Sequence, residues 1–318
     1  MQLCFKYNLI FITWVYISFS FQLVAEEKVR TFSVLGANDL SLNVIASGSN
    51  NNPGFLFIHG SGQSSISWNK QFGSSLRNNF HLVAFDLRGH GSSGKPRSSD
   101  EYNKACIWAE DIKRIINGVG LERPVLVGWS KGGLMVMHYL SCFGFDAVAG
   151  IVLIASQANL VNVSASFGLE RAKVTQQQLL SRNINKILLG AKNFTALMTS
   201  GVMDPEWNLL SRSMNVMVPP YVRTAIQGAV FKANGEEISN YSSLFANFSV
   251  PVMIVLGAKD PFRKPNEMAS AYRKTIPWST IKIYKRSGHS PFMEEPDLFN
   301  KDIKDFAISL YTKDNTKN

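Results

Sequence analysis

The segment Pro124-Val125-Leu126-Val127-Gly128-Trp129-Ser130-Lys131-Gly132-Gly133-Leu134-Met135-Val136-Met137-His138-Tyr139-Leu140 passes from a short apolar run, through glycines on either side of a serine, into a second apolar run free of proline. The first run has the length and β-branched content of a buried strand, and the second is long enough for a buried helix. Gly128 to Gly132 fits G-x-S-x-G, in which a serine is held on a sharp strand-to-helix turn with its hydroxyl exposed. The strained turn explains the glycines, because strand and helix pass too closely at those positions to admit side chains. The pentapeptide alone is a weak signal; its place between a strand pattern and a helix pattern is what gives it weight.

The same alternation extends in both directions. Arg30 to Leu35 and Leu42 to Ala46 read as an opening hairpin pair, Phe55 to Ile58 as a buried strand, Trp68 to Leu76 as a helix and His81 to Phe85 as the next strand. Ala105, Trp108, Ile112, Ile115 and Ile116 mark one face of a helix, and Val148 to Ile154 another strand. Strands that are apolar throughout and alternate with helices predict an α/β fold with a mostly parallel sheet covered on both faces. Val252 to Leu256 arrives nearly a hundred residues later, far more chain than one crossover needs, so 157–246 reads as an inserted helical cap with no convincing strand. Its helix-like stretches are Leu169 to Leu189, Pro205 to Met214 and Tyr221 to Phe231. Glu267 to Tyr272, Ile281 to Tyr284 and a closing helix bearing Phe299, Ile303, Phe306 and Leu310 complete the pattern. The organisation is thus 26–156 and 247–312 as two parts of one core, the cap between them, and 313–318 as a tail.

At 318 residues, 45% hydrophobic and 11% aromatic, the chain can build one large core. Its net charge of +10 is spread without blocks of Lys and Arg, which excludes a concentrated nucleic-acid footprint and leaves a basic solvated surface. Residues 1–25 form a leader: Lys6, an uncharged stretch from Tyr7 to Ala25, then the charged Glu26-Glu27-Lys28. Two readings stand, a cleaved export signal and an uncleaved membrane anchor of residues 7–25; the Ser, Thr and Gln content and the small residue at its end favour cleavage and an exported protein. Sequons at Asn162, Asn193, Asn240 and Asn247 are about as many as chance supplies and decide nothing. Without the leader, Cys106 and Cys142 remain. Each falls in a crossover helix, one near its start and one near its end, so successive helices running the same way separate them by on the order of 10 Å. That offset predicts two free thiols.

Loops at the carboxyl ends of parallel strands carry function, and they hold Ser130, Asp260 in Gly257-Ala258-Lys259-Asp260, His289 in Ser287-Gly288-His289-Ser290-Pro291, and His59-Gly60-Ser61-Gly62. A serine hydroxyl needs a histidine to take its proton, and that histidine needs a carboxylate to hold its tautomer and stabilise the imidazolium. The order Ser130, Asp260, His289 suits the elbow. Backbone N–H groups of Lys131 and Ser61 would receive the developing oxyanion. No metal-ligand cluster, phosphate-binding loop or dinucleotide fingerprint is present, so no cofactor or metal is expected.

With Phe57-Ile58-His59-Gly60, Asp86-Leu87-Arg88-Gly89-His90-Gly91-Ser92-Ser93, Gly128 to Gly133 and Gly288-His289-Ser290-Pro291-Phe292-Met293-Glu294-Glu295-Pro296, the chain resembles the α/β-hydrolases from about residue 30 to 312. The resemblance is greatest to bacterial non-haem chloroperoxidase-like or esterase-like hydrolases, and Met214 to Arg223 also looks like that group. It implies Ser130, Asp260 and His289 as a triad. Two departures stand out: Ser61-Gly62 replaces a bulky residue and proline after the His-Gly pair, and Lys131 stands where an apolar or aromatic residue is common. The resemblance implies hydrolysis of carboxylic esters through an acyl-enzyme, and a short helical cap of fewer than a hundred residues suits small to medium acyl groups. Cofactor-free perhydrolysis and a ligand-binding receptor that keeps the fold are the alternatives. Epoxide hydrolases and dehalogenases of the family carry aspartate at the position of Ser130. His59, Asp86, Arg88 and His90 are expected to orient the loops, and Glu110 and Asp111 to be solvated. Met203, Trp207, Met214 and Met217 are acyl-pocket candidates that at helical spacing read more readily as cap core. Lys131 beside the serine would favour substrates with a carboxylate near the scissile ester.

Overall fold

The computed structural model describes residues 29–163, 168–201, 204–229, 232–233, 236–237, 240–246 and 250–314. The leader, Met203, Asn247 and the last four residues of the tail lie outside them. Among the described residues the strands are β1 (Arg30–Leu35), β2 (Ser41–Ser47), β3 (Gly54–Ile58), β4 (His81–Phe85), β5 (Val125–Trp129), β6 (Gly150–Ile154), β7 (Lys232–Ala233), β8 (Glu236–Glu237), β9 (Val252–Gly257) and β10 (Thr280–Tyr284). Eight of them form one sheet in the order β1-β2-β4-β3-β5-β6-β9-β10. Only β2 runs against its neighbours; every other pairing, from β4–β3 to β9–β10, is parallel.

The chain steps one way from β3 to β4 and then crosses back over β3 to β5. The order therefore reverses between β3 and β5, which pair with Ile58 opposite Gly128. Crossovers diverge at such a point and leave a crevice beyond the strand ends. The His59 loop and Ser130 both open into it.

Alternate residues of each strand feed two layers. Leu56, Ile58, Val83, Phe85 and Leu126 pack against α2 (Ala105–Val119), α3 (Lys131–Phe143) and α8 (Pro265–Thr275). Phe55, Phe57, Leu82, Val125 and Val127 pack against α1 (Asn69–Phe72), α9 (Pro291–Glu294) and α10 (Pro296–Asp314). A central strand buried on both faces needs no polar alternation, which is why these segments read as continuous apolar runs.

Between β6 and β9 lie α4 (Gly168–Leu179), α5 (Ile184–Ala196), α6 (Pro205–Met217) and α7 (Pro220–Gln227). The single helix expected over Leu169 to Leu189 is two, because Asn183 caps a new start by accepting from the N–H groups of Asn185 and Lys186. The helix expected from Tyr221 to Phe231 stops at Gln227, before Gly228. The two-residue strands β7 and β8 pair antiparallel in a segment where no strand was expected. The helix expected from Trp68 to Leu76 is also broken: α1 has one 3-10 turn before it and another after Gly73.

Cys106 and Cys142 form a disulfide with their Cα atoms 5.8 Å apart, which corrects the expectation of two free thiols. The offset argument gave both helices the same starting level. Helix α3 begins directly after β5, but α2 begins only after the long Asp86–Lys104 loop. As a result Lys113, midway along α2, already stands 4.2 Å from the ring of Phe143 at the end of α3. The slide brings the first turn of one helix level with the last turn of the other.

Candidate active site

Ser130 is the residue before α3 and has φ 53° and ψ −117°, a region that costs a side-chain-bearing residue roughly 1–3 kcal/mol. The surroundings hold it there. Its N–H donates to the Ile154 carbonyl at 2.8 Å, and its own carbonyl accepts from Ser156 Oγ at 2.6 Å. A Cβ on Gly128 would lie 2.6 Å from the Gly133 Cα, and one on Gly132 would run into the Ile58 carbonyl. These close approaches are the physical content of the glycine pattern.

His289 comes from the loop after β10, and its Nδ1 is 2.8 Å from Asp260 Oδ2 in the loop after β9. Both side chains are buried. Asp260 Oδ1 accepts from the Phe262 N–H at 2.8 Å, so the carboxylate is fixed at both oxygens. With Asp260 ionised, Nδ1 carries the histidine proton and Nε2 is left as the basic nitrogen. The Trp129 indole N–H donates to the His289 carbonyl at 2.8 Å, and the Phe262 ring packs edge-on 4.4 Å from the imidazole. The Gly288 N–H is held by Glu294 at 2.8 Å. Gly257 is required at the end of β9, since a Cβ there would strike the Gly288 carbonyl.

The supporting loops behave largely as the sequence suggests. His59 Nδ1 bonds the Gly60 carbonyl at 2.8 Å and Nε2 accepts from the Leu87 N–H at 2.9 Å, while burial lowers its pKa. A neutral ring with both nitrogens engaged is an orienting group. His90 is held likewise, with Nδ1 at 3.1 Å from the Arg88 carbonyl and its pKa driven well down by burial, the His59 ring adding to the effect. Asp86 accepts from the N–H groups of Ser65 and Ser92, each at 2.7 Å, and from Asn43 at 3.0 Å. Asp111 is not solvated. It is 1% exposed, takes Arg88 at 2.7 and 2.8 Å as a two-pronged pair, and accepts from the Ala37 N–H. Burial pushes its carboxyl up against the pull of the guanidinium. Glu110 is half-buried and pairs with Arg114 at 2.9 Å.

A cavity of about 330 Å³ joins these parts, and Ser61, Ser130, Lys131 and His289 all line it. Its apolar lining includes Trp129 and Leu134 from the core and Ala172, Phe194, Met198 and Phe262. Trp207 and Met214 do not reach it; both are buried packing residues, and the Met214 sulfur accepts from Ser64 Oγ at 2.8 Å. Met217 is 47% exposed. Lys131 is half-buried at the cavity, and burial lowers its pKa to about 8. Gln157 and Arg263, which sequence reasoning missed, also line it. Arg263 is three residues beyond Asp260 on the same loop, a proximity visible in the sequence.

Several known proteins share this architecture. A putative aryl esterase from Burkholderia cenocepacia superposes with a TM-score of 0.80 at 26% identity, covering 89% of this chain and all of that one. An uncharacterized protein of Mycobacterium tuberculosis is 27% identical over 78% of this chain and 73% of its own length. A pimeloyl-[acyl-carrier protein] methyl ester esterase from Vibrio atlanticus is 24% identical over 80% of this chain and 94% of its own length. The model of the alpha/beta hydrolase fold matches residues 53–296, most of the core and the whole segment between β6 and β9. With this match over three quarters of its length, the chain belongs to the alpha/beta hydrolase fold family.

Proposed function

We propose that the protein is a serine esterase that cleaves small to medium carboxylic esters through an acyl-enzyme on Ser130. The observation that carries this reading is one geometry: a serine at an elbow shares a cavity with a histidine whose Nδ1 lies 2.8 Å from a fixed carboxylate. His289 Nε2 takes the Ser130 proton as Oγ attacks the ester carbonyl, and returns it to the departing alkoxide. Asp260 stabilises the imidazolium in between. Water then repeats the sequence on the acyl-serine. The backbone N–H of Lys131, in the first turn of α3, and that of Ser61 receive the oxyanion; N–H groups of a first helical turn have no carbonyl four residues back.

The esterase relatives support ester chemistry, and a cavity of about 330 Å³ supports a short to medium acyl group. Export is part of the proposal, supported by the Cys106–Cys142 disulfide, since such bonds persist in oxidising compartments. A fluorophosphonate probe tests the central point. It is expected to add one phosphonyl mass to the peptide containing Ser130 and none to the Ser130→Ala protein. Labelling elsewhere, or none in an active preparation, refutes the assignment.

A further inference from the structure

We propose that the cavity takes short esters bearing a carboxylate, and that the Arg263 guanidinium is the group that receives it. This deepens the esterase reading and rests on it for the choice of ester. Arg263 Nε donates to Gln157 Oε1 at 2.7 Å and Nη1 donates to the Phe262 carbonyl at 2.9 Å. Gln157 is itself oriented, its amide nitrogen donating to the carbonyls of Val161 and Val163 at 3.4 and 3.3 Å. The guanidinium plane is therefore set by two neighbours. Among the described residues, its Nη2 has no hydrogen-bond partner and no carboxylate lies within ion-pair distance of it. Asp260, the acidic group whose charge acts on it, has one oxygen on His289 and the other on the Phe262 N–H.

The lining points the same way. Lys131 and Arg263 contribute two positive charges beside Ser130, with Asn159 and Gln176 as further polar groups, and no Asp or Glu is among the described residues that line the cavity. Burial lowers the pKa of Arg263, so its guanidinium has given up hydration that an anion would replace. A planar guanidinium with a spare edge suits a carboxylate better than a neutral ester end. The apolar lining from Phe194, Met198 and Phe262 then takes the hydrocarbon part.

The test uses the full chain carrying Ser130→Ala, which holds an ester without turning it over, titrated calorimetrically with monobutyl succinate and with its methyl-capped diester. The half-ester is expected to bind at least tenfold more tightly. Arg263→Gln on the same background is expected to remove most of that difference, and Arg263→Lys only part of it. Equal affinity for the two ligands, or a difference untouched by Arg263→Gln, overturns the proposal. If Arg263→Gln does not melt cooperatively, Arg263→Lys decides: a loss of threefold or more supports the proposal and no loss overturns it. Hydrolysis of 4-nitrophenyl butyrate by the chain with Ser130 intact is measured in parallel. Its failure would remove the esterase reading and leave the binding comparison readable.

Discussion

Every residue of β3, β4, β5 and β6 is buried, whereas α5 and α6 of the insertion leave Ile184, Leu188, Leu189 and Leu209 exposed at 46–67%. The sheet is packed on both faces, so the strain at Ser130 is opposed by neighbours that cannot move. The helical insertion adds side chains to both core clusters and also meets the core through single hydrogen bonds. Gln63 donates to Ser211 at 3.2 Å, the Ser200 N–H to Glu294 at 2.7 Å, and the Tyr221 hydroxyl to the Lys95 carbonyl at 3.0 Å. Under the proposed function the difference divides the work: the sheet fixes the candidate reacting groups, and the insertion shapes what reaches them.

The sharpest way to break this division is at the sheet. Ser130→Ala is expected to lower kcat by on the order of 10⁴-fold while leaving the melting temperature unchanged. Double substitutions among Ser130, Asp260 and His289 should lose little more than the single ones, because the three act as a unit. Steady-state rates and melting curves check both. Residual activity within tenfold of the unmodified protein would move the nucleophile elsewhere.

Below that in size come two ion pairs, one in each region. Asp111→Ala leaves the fully buried Arg88 with Glu101, 2.9 Å away, as its remaining carboxylate, and should cost about 3 kcal/mol by urea unfolding, the low end for a broken buried pair. Lys173→Ala breaks an exposed pair with Glu170 on α4 and should cost less than ~0.5 kcal/mol. Equal costs would show that the insertion is as tightly held as the sheet. Phe194→Ala, at the cavity face of α5, should shift the best acyl length upward with less than a threefold change in kcat for acetyl esters. An aryl-ester chain-length series reads it, and a large fall in kcat with no shift in length would place Phe194 in the chemistry instead.

The smallest expected effect is in pH. Lys131 is a cation below its pKa of about 8 and neutral above it, so any preference for anionic over neutral esters should weaken as pH rises through that value. Arg263 and His289 share the cavity, and His138 and His90 lie in its field. Both of the latter are neutral near pH 7, held below their usual range by burial, so they do not titrate in this window. The ratio of kcat/KM for the two ester types, measured from pH 6.5 to 9.5, is the check; a flat ratio excludes Lys131 from substrate choice.

Much of this was legible in the sequence because strand ends are. Once β5, β9 and β10 are located, Ser130, Asp260 and His289 fall at their carboxyl ends, and the structure brings His289 to Asp260. Asp111 was misread although its position carried the answer. It is three residues after the buried Trp108 and four before the buried Ile115, on the apolar face itself. Charge outweighed spacing in that reading, and the buried partner was out of view in Arg88. The disulfide needed a quantity no periodicity supplies, the level at which α2 starts along the sheet. The cavity lining was illegible for a related reason: helical spacing shows which cap residues share a face, but not which face looks down.

The Cys106–Cys142 bond closes a ring of sequence separation 36 that contains β5, Ser130 and most of α3. In the chain-entropy description such a ring restricts the unfolded ensemble by about 4 kcal/mol. It also changes what a cut means. Glu122 and Arg123 are exposed between α2 and β5, within the ring, so a cut after Glu122 by a glutamate-specific protease yields two pieces that stay joined. The nicked chain would run as one band until a reductant is added, and Ser130, on the C-terminal piece, would stay joined to the N-terminal piece through Cys142. Reduction thus decides whether proteolysis at this turn is a scar or a scission.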